Sequence, residues 1–275
     1  LVRMRMFSVC SRSYKKSRPK LMLDKQQIQR QFNRSAERYN GVAEMQREIV
    51  DELLSISSPV MSGGILDAGC GTGYALERLM KRAPGALLTG VDLAPKMLEQ
   101  AMKVCPDATL IAGDIESLPL RNGSQDVIFS SSAVQWCDAS VVMQEFNRCL
   151  RAKGRLLLST FTDGTLSDWR TLWGRNNQQE FLSVDEFAQL FDSEGWSDVC
   201  LWQQEFVQPF TTFMGAVSSI RGLGAGDASL QRSMTPMTRS QLGLVRENVE
   251  SVIEQEGFIG LKYHVAFATA IKSKV

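Results

Sequence analysis

Residues 63–77 read GGILDAGCGTGYALE. A short apolar run ends on the acid Asp67, Gly69, Gly71 and Gly73 follow at every second position, and a helical period resumes over 74–82. Glycines packed this closely lose backbone entropy on folding, so they stand where φ > 0 is needed or where something approaches the backbone. A strand, a glycine turn and a helix in that order open a βαβ unit, whose ligands sit at the carboxyl ends of the strands.

The same alternation runs outward from this stretch. From Asp24 to Ser55 apolar residues recur at helical spacing, first Ile28, Phe32, Ala36 and Tyr39, then Val42, Met45, Ile49 and Leu53. After the glycine turn, strands are predicted at 86–92, 108–112, 126–132 and 154–161, with helices at 95–103 and 139–150. Strands alternating with helices predict a Rossmann-like, doubly wound α/β sheet. Beyond Phe161 the pattern predicts a helix at 184–193, a strand at 199–208, helices at 211–221 and 239–255, and a last strand at 262–271. Residues 211–255 exceed a simple crossover and are expected to form a helical cap over the carboxyl ends of the strands. A single domain is expected over 24–275.

The formal charge of +1 is unevenly distributed, because residues 1–20 hold seven Lys and Arg and no acid. Residues 1–23 are expected to be an unstructured basic tail, with a transit peptide as the alternative. The remainder carries 24 basic and 30 acidic residues, a balance that does not suit a nucleic-acid partner. No apolar run reaches the roughly 18–20 residues that cross a bilayer, so no membrane role is expected. The six cysteines form no C-x-x-C pair and His264 is the only histidine, which disfavours a metal site and suits a reducing, cytoplasmic compartment.

Three ligand classes use a glycine turn after a first strand. A phosphate-binding loop requires Gly-Lys-Ser/Thr, but Tyr74 and Ala75 follow Gly73. A dinucleotide fingerprint starting at Gly69 meets Tyr74 where its third glycine belongs, which weakens that reading. The third class, S-adenosylmethionine, gives each nearby acid a separate task. Asp67 would lie near the ammonium of the amino-acid tail. Asp92, 25 positions later at the end of the second strand, has two oxygens for two ribose hydroxyls, and Asp114 after the third strand can accept from the adenine amine. Alanine at Asp92 is expected to weaken cofactor binding and leave the fold intact.

ILDAGCGTG, VDLAPKML and AGDIESLPL together resemble the first three motifs of class I S-adenosylmethionine-dependent methyltransferases. FNRSAERYN, AGDIESLPL, SSAVQWC, LSDW, IRGLGA, MTRSQL and YHVAFATAIK resemble, in order, the malonyl-carrier-protein O-methyltransferase family of biotin synthesis, over about Gln27 to Lys272. AVQWC and the IRGLGA and MTRSQL pair are the more selective motifs. The resemblance implies that Asp67, Gly69, Cys70, Gly71 and Gly73 form the methionine-tail loop. It gives Asp92 and Leu93 to the ribose and Asp114 and Ile115 to the adenine, and it places Gln135 and Trp136 at the same site.

The implied reaction methylates the free carboxylate of a malonyl thioester, on acyl-carrier protein or on coenzyme A. A carboxylate is already ionised at neutral pH, so no general base is needed and one histidine is no obstacle. Arg221, which can grip a carboxylate with two N–H groups, is the first candidate to anchor the acceptor, followed by Tyr39 and His264. The carrier is acidic, and Arg170, Arg175, Arg232 and Arg239 are candidates for a basic docking patch. A monomer is expected. The competing readings are a related methyltransferase on another small acceptor, a methyltransferase-fold assembly factor, and a nicotinamide oxidoreductase.

Overall fold

The computed structural model describes residues 5–7, 24–56, 62–172, 181–222 and 238–273. Eight strands form one sheet in the order β1-β7-β8-β6-β5-β2-β3-β4. The central ones, β2 (Gly64–Ala68), β3 (Leu87–Asp92), β4 (Thr109–Ala112), β5 (Gln125–Ser131) and β6 (Leu150–Phe161), are all parallel. Of the last two strands, β8 (Ile259–Lys272) joins antiparallel to β6, and β7 (Trp196–Phe210) joins antiparallel to β8.

Side-chain alternation along the strands sends apolar groups to both faces, as a sheet covered on both sides requires. Ile65, Phe129 and Leu157 pack with Met45, Ile49 and Leu53 of α2 (Glu44–Ile56) and Leu79 of α3 (Tyr74–Arg82). Their neighbours Leu66, Ile128, Leu156 and Leu158 point the other way, onto Val142 and Phe146 of α5 (Ala139–Cys149). Each such buried side chain contributes about 1.5–3 kcal/mol. α8 (Phe213–Gly222) and α9 (Arg239–Glu256) lie between β7 and β8 in the chain, and α8 packs on α1 (Lys25–Val42). Asp24 caps α1 by accepting from the N–H groups of Gln26 and Gln27.

Several boundaries differ from the sequence reading. The helix expected over 184–193 ends at Gln189, β7 begins at Trp196, and β8 begins at Ile259. A short helix that the sequence pattern did not reveal, α6 (Ser167–Leu172), follows β6. Within the stretch expected to be unstructured, Arg5–Phe7 forms β1, antiparallel to Leu201–Gln203 of β7. The outer edge of β7 presents unpaired backbone donors and acceptors that an added strand satisfies. Of the expected cap, residues 223–237 lie outside the described residues.

Candidate functional site

A cleft of about 1000 Å³, open to solvent, lies at the carboxyl ends of β2, β3 and β5. Its floor is the glycine turn, and its roof is one face of α1, where Lys25, Ile28, Phe32 and Tyr39 follow one another at helical spacing. α1 is tied down along its length. Gln29 Nε2 donates to the Leu93 carbonyl at 2.8 Å, Asn33 Oδ1 accepts from the Lys96 N–H at 3.0 Å, and Asn40 Oδ1 accepts from Thr72 Oγ1 at 2.6 Å.

The three glycines answer to three different neighbours. A side chain at Gly69 (φ +80°) would meet the Ala133 methyl at 2.4 Å, and one at Gly73 (φ +87°) would meet Ala101 of α4 (Pro95–Val104) at 3.0 Å. Only Gly71 (φ +52°) has open space where its side chain would project. Gly69 and Gly71 line the cleft, whereas Gly73 packs against α4. Cys70 lines the cleft and also packs with Leu76, Leu98 and Cys105.

Asp67, Asp92 and Asp114 all line the cleft. Asp67 is buried and its Oδ2 has no hydrogen-bond partner. Burial, then the nearby Asp92 charge, pushes its carboxyl up to about 8. Asp92 accepts from the Gly71 N–H at 2.9 Å through Oδ2 and from the Ala94 N–H at 2.8 Å through Oδ1. Burial raises its pKa as well, and these two N–H groups work against that rise. Asp114 Oδ1 accepts from Lys25 Nζ at 3.0 Å. The same ammonium reaches Glu116 at 2.7 Å and Cys137 Sγ at 3.3 Å, and so fills the gap within the cluster Asp114, Glu116 and Cys137. Burial disfavours its charge, but Cys137, Glu116 and Asp114 outweigh that and hold its pKa above the usual value.

Leu93, Ile115 and Trp136 all line the cleft, and the Trp136 ring meets Phe32 edge-on with 5.7 Å between centroids. Gln135 does not. Its amide is turned inward, donating to the Ser132 carbonyl at 2.7 Å and accepting from Thr160 Oγ1 at 3.1 Å. A buried amide needs partners for both ends, and the sheet supplies them. His264 also lies off the cleft, in β8, with Nε2 3.6 Å from Glu205 Oε2 of β7 and its ring against Gly164. Tyr39 lines the cleft; burial, then Asp92, raises its pKa and keeps the phenol neutral. Arg221 lies in α8, and its side chain is outside the described residues.

The sequence reading missed Lys25, Asn40, Gln46, Arg47 and Ser132, all of which line the cleft. A signal existed for two of them: Gln46 and Arg47 interrupt a helical stripe that runs from Ala43 to Val50. Ser132 sits at φ +54°, an uncommon conformation for serine, and its buried hydroxyl has no partner. Asp67 Oδ2, Ser132 Oγ and Gln46 Oε1 are thus three unsatisfied polar atoms of residues that line the cleft. With the open side of Gly71, they fit a polar nucleoside ligand with an amino-acid tail.

A methyltransferase-domain family matches residues 66–158. Among solved structures, the YcgJ protein from Bacillus subtilis is similar over 83% of this chain and 99% of its own, with a TM-score of 0.58 at 16% identity. The Haemonchus contortus phosphoethanolamine N-methyltransferase 2, in complex with S-adenosyl-L-methionine, has a TM-score of 0.55 at 17% identity, over 90% of this chain and 60% of its own. These share the fold. The malonyl-[acyl-carrier protein] O-methyltransferase of Herminiimonas arsenicoxydans is 29% identical over 92% of this chain and 98% of its own. That of Hahella chejuensis is 32% identical over 88% of this chain and 89% of its own, a relation that reaches past the glycine turn and its acids to nearly the full length. By sheet order, cleft and this relation, the chain belongs to the malonyl-[acyl-carrier protein] O-methyltransferase family.

Proposed function

We propose that this protein transfers a methyl group from S-adenosylmethionine to the free carboxylate of malonyl-acyl-carrier protein, giving the methyl ester that enters pimeloyl synthesis for biotin. The observation that carries this reading is the relation to malonyl-carrier methyltransferases across 250 residues, including the β7–β8 region that lies outside the generic domain. The cofactor, when bound, supplies a methyl group on a sulfonium that a carboxylate oxygen displaces. What remains for the chain is to align the two, exclude water and leave the carboxylate ionised. Ile28, Phe32, Met97 and Trp136 give the cleft apolar walls. Cys137, pushed up to about 12 by burial against the opposing charge of Lys25, stays a thiol, and Tyr39 stays a phenol able to donate a hydrogen bond. Proton removal is not required of either. Residues 211–255 serve as the substrate cap in this reading, with Arg221 as the carboxylate anchor. The test is the intact mass of malonyl-carrier protein after incubation with this protein and S-adenosylmethionine. A gain of one methyl group is expected, and no gain on either the carrier or the coenzyme A thioester would defeat the assignment.

The carrier is the favoured thioester because of the outer face of α1. Arg30, Arg34 and Arg38 are all exposed there at four-residue intervals, and the helix carries one acid, Glu37. This face points away from the cleft that α1 covers, and its charge suits an acidic partner. Of the arginines anticipated for that role, Arg175 and Arg232 lie outside the described residues, Arg239 is exposed at the start of α9, and Arg170 is engaged by the Thr165 carbonyl and the Phe181 ring. Changing Arg30, Arg34 and Arg38 together to Glu is expected to lower kcat/KM on malonyl-carrier protein about 10- to 100-fold and to leave malonyl-coenzyme A within about twofold. Equal losses on both thioesters would exclude a docking role.

A further inference from the structure

The cofactor reading gives the tail, ribose and adenine to Asp67, Asp92 and Asp114, which stand at or just after the carboxyl ends of β2, β3 and β4. The sheet runs β5-β2-β3-β4, so β5 lies on the far side of β2 from the ribose and adenine. Ser131 and Ser132, at the carboxyl end of β5, line the same cleft, and no cofactor group is assigned to either. The two serines differ. The Ser131 hydroxyl accepts from Ser159 Oγ at 2.9 Å, whereas the Ser132 hydroxyl is buried and has no partner among the described residues. Ser132 also stands at φ +54°, where a residue with a side chain is strained. Contacts on both sides hold it there. Its N–H donates to the Ser159 carbonyl at 3.0 Å, and its own carbonyl accepts from Gln135 Nε2 at 2.7 Å. Gln135 is fixed in turn by Thr160 Oγ1, which donates to its Oε1 at 3.1 Å.

The sulfonium of the cofactor lies between tail and ribose, so the part of the cleft over β5 is left to the acceptor. We propose that Ser132, after one rotation about its Cα–Cβ bond, donates a hydrogen bond to one oxygen of the acceptor's carboxylate, and that Gln135 is a positioning residue that keeps Ser132 in place. A neutral donor orients a carboxylate without cancelling its charge. The other oxygen keeps the electron pair that forms the bond to the methyl carbon, while the carbon–sulfur pair stays on sulfur. This role gives a task to Gln135, the inward-turned member of the AVQWC motif. It rests on the carboxylate-methylation reading, is separate from the anchoring role of Arg221, and leaves Asp67 Oδ2 and Gln46 Oε1 as the unpartnered atoms for the cofactor.

Ser132→Gly removes the hydroxyl and relieves the backbone together, because glycine accepts φ > 0. On the full chain it is expected to lower kcat/KM for malonyl-carrier protein about 10- to 100-fold, with S-adenosylhomocysteine affinity by calorimetry within about threefold of wild type. Its thermal midpoint should stay within about 2 °C of wild type. Ser132→Asn, which tolerates φ > 0 and carries an N–H donor, should recover part of the activity. Gln135→Leu should show a loss like that of Ser132→Gly, and the double variant should be less than about threefold worse than the poorer single one, because Gln135 acts through the serine. Should Gln135→Leu fail to fold, Ser132→Gly against Ser132→Asn decides. Unaltered kcat/KM in Ser132→Gly would overturn the assignment, and so would an equal loss in S-adenosylhomocysteine affinity, which would place the hydroxyl on the cofactor. Losses that multiply in the double variant would overturn the positioning role of Gln135. Wild-type protein that binds S-adenosylhomocysteine but methylates neither malonyl thioester would instead remove the carboxylate reading, and this assignment with it.

Discussion

Asp67→Asn should weaken S-adenosylhomocysteine by about 100-fold and yet raise the thermal midpoint of the ligand-free protein at pH 8, by about 5 °C or more. Both effects have one cause. The Asp67 carboxyl is buried, its Oδ2 lacks a partner, and its pKa stands near 8 against an ordinary 3.8. A group whose pKa is raised on folding contributes its stability in the protonated form. That contribution is complete below about pH 4 and is lost as pH rises toward 8. Asparagine has no charge to bury, so the variant loses this slope and gains most at the upper end. The ligand's ammonium, in contrast, requires the charged carboxylate. Wild-type affinity should therefore rise from pH 6 to pH 8, by up to about tenfold per unit, with proton release on binding. The groups that bear on this carboxylate are Asp92, whose charge disfavours ionisation of Asp67, and the buried Cys70 thiol. Calorimetry in buffers of different ionisation enthalpy measures the released proton directly. Affinity independent of pH over this range, or a lower midpoint for the variant, would contradict the account.

Asp92→Ala should lose at least about 100-fold in S-adenosylhomocysteine affinity, together with a fall of several degrees in thermal midpoint. The sequence alone led to the expectation of an intact fold. The structure adds a cost in stability to that expectation, because each Asp92 oxygen already accepts a backbone N–H, one from Gly71 and one from Ala94. Removing the carboxylate leaves the glycine turn and the first turn of α4 each without an acceptor, at a cost of about 1–2 kcal/mol apiece. Asp92→Asn keeps one oxygen acceptor and should recover part of the stability while remaining weak for the cofactor. Thermal melts of the ligand-free variants read the structural loss, and calorimetry reads the binding loss. An Ala variant as stable as wild type would show that these two bonds carry no stability.

Much of the fold was legible before any coordinates. The apolar alternation over 64–68 and 86–92, the helical period over 74–82 and the glycines between them are local signals, and the elements they predict form within a few residues of the expected bounds. The bounds failed where tertiary pairing extended a strand. β8 starts at Ile259 because Phe210, at the end of β7, pairs with it across the sheet. The acids at the strand ends were legible for a similar reason, since a strand end followed by a turn is a local event. Gln135 was not, because its amide turns toward Ser132 and Thr160, and a side-chain rotamer has no signature in residue spacing.

By itself the chain's sequence determined the order of strands and helices from α1 to β6, the site of the glycine turn, the acids Asp67, Asp92 and Asp114 at its edge, and the family resemblance. Each depends on periodicity, turn chemistry or motif within a short window. Tertiary structure alone decided which glycine faces the ligand space and which face helix α4 or Ala133. It alone brought Lys25 to Asp114 across 89 positions and set Arg47 in the lining of the same cleft as the glycine turn. Contacts between residues so far apart exist only once the sheet and its helices have packed, and a linear pattern holds no record of which charges that packing will join.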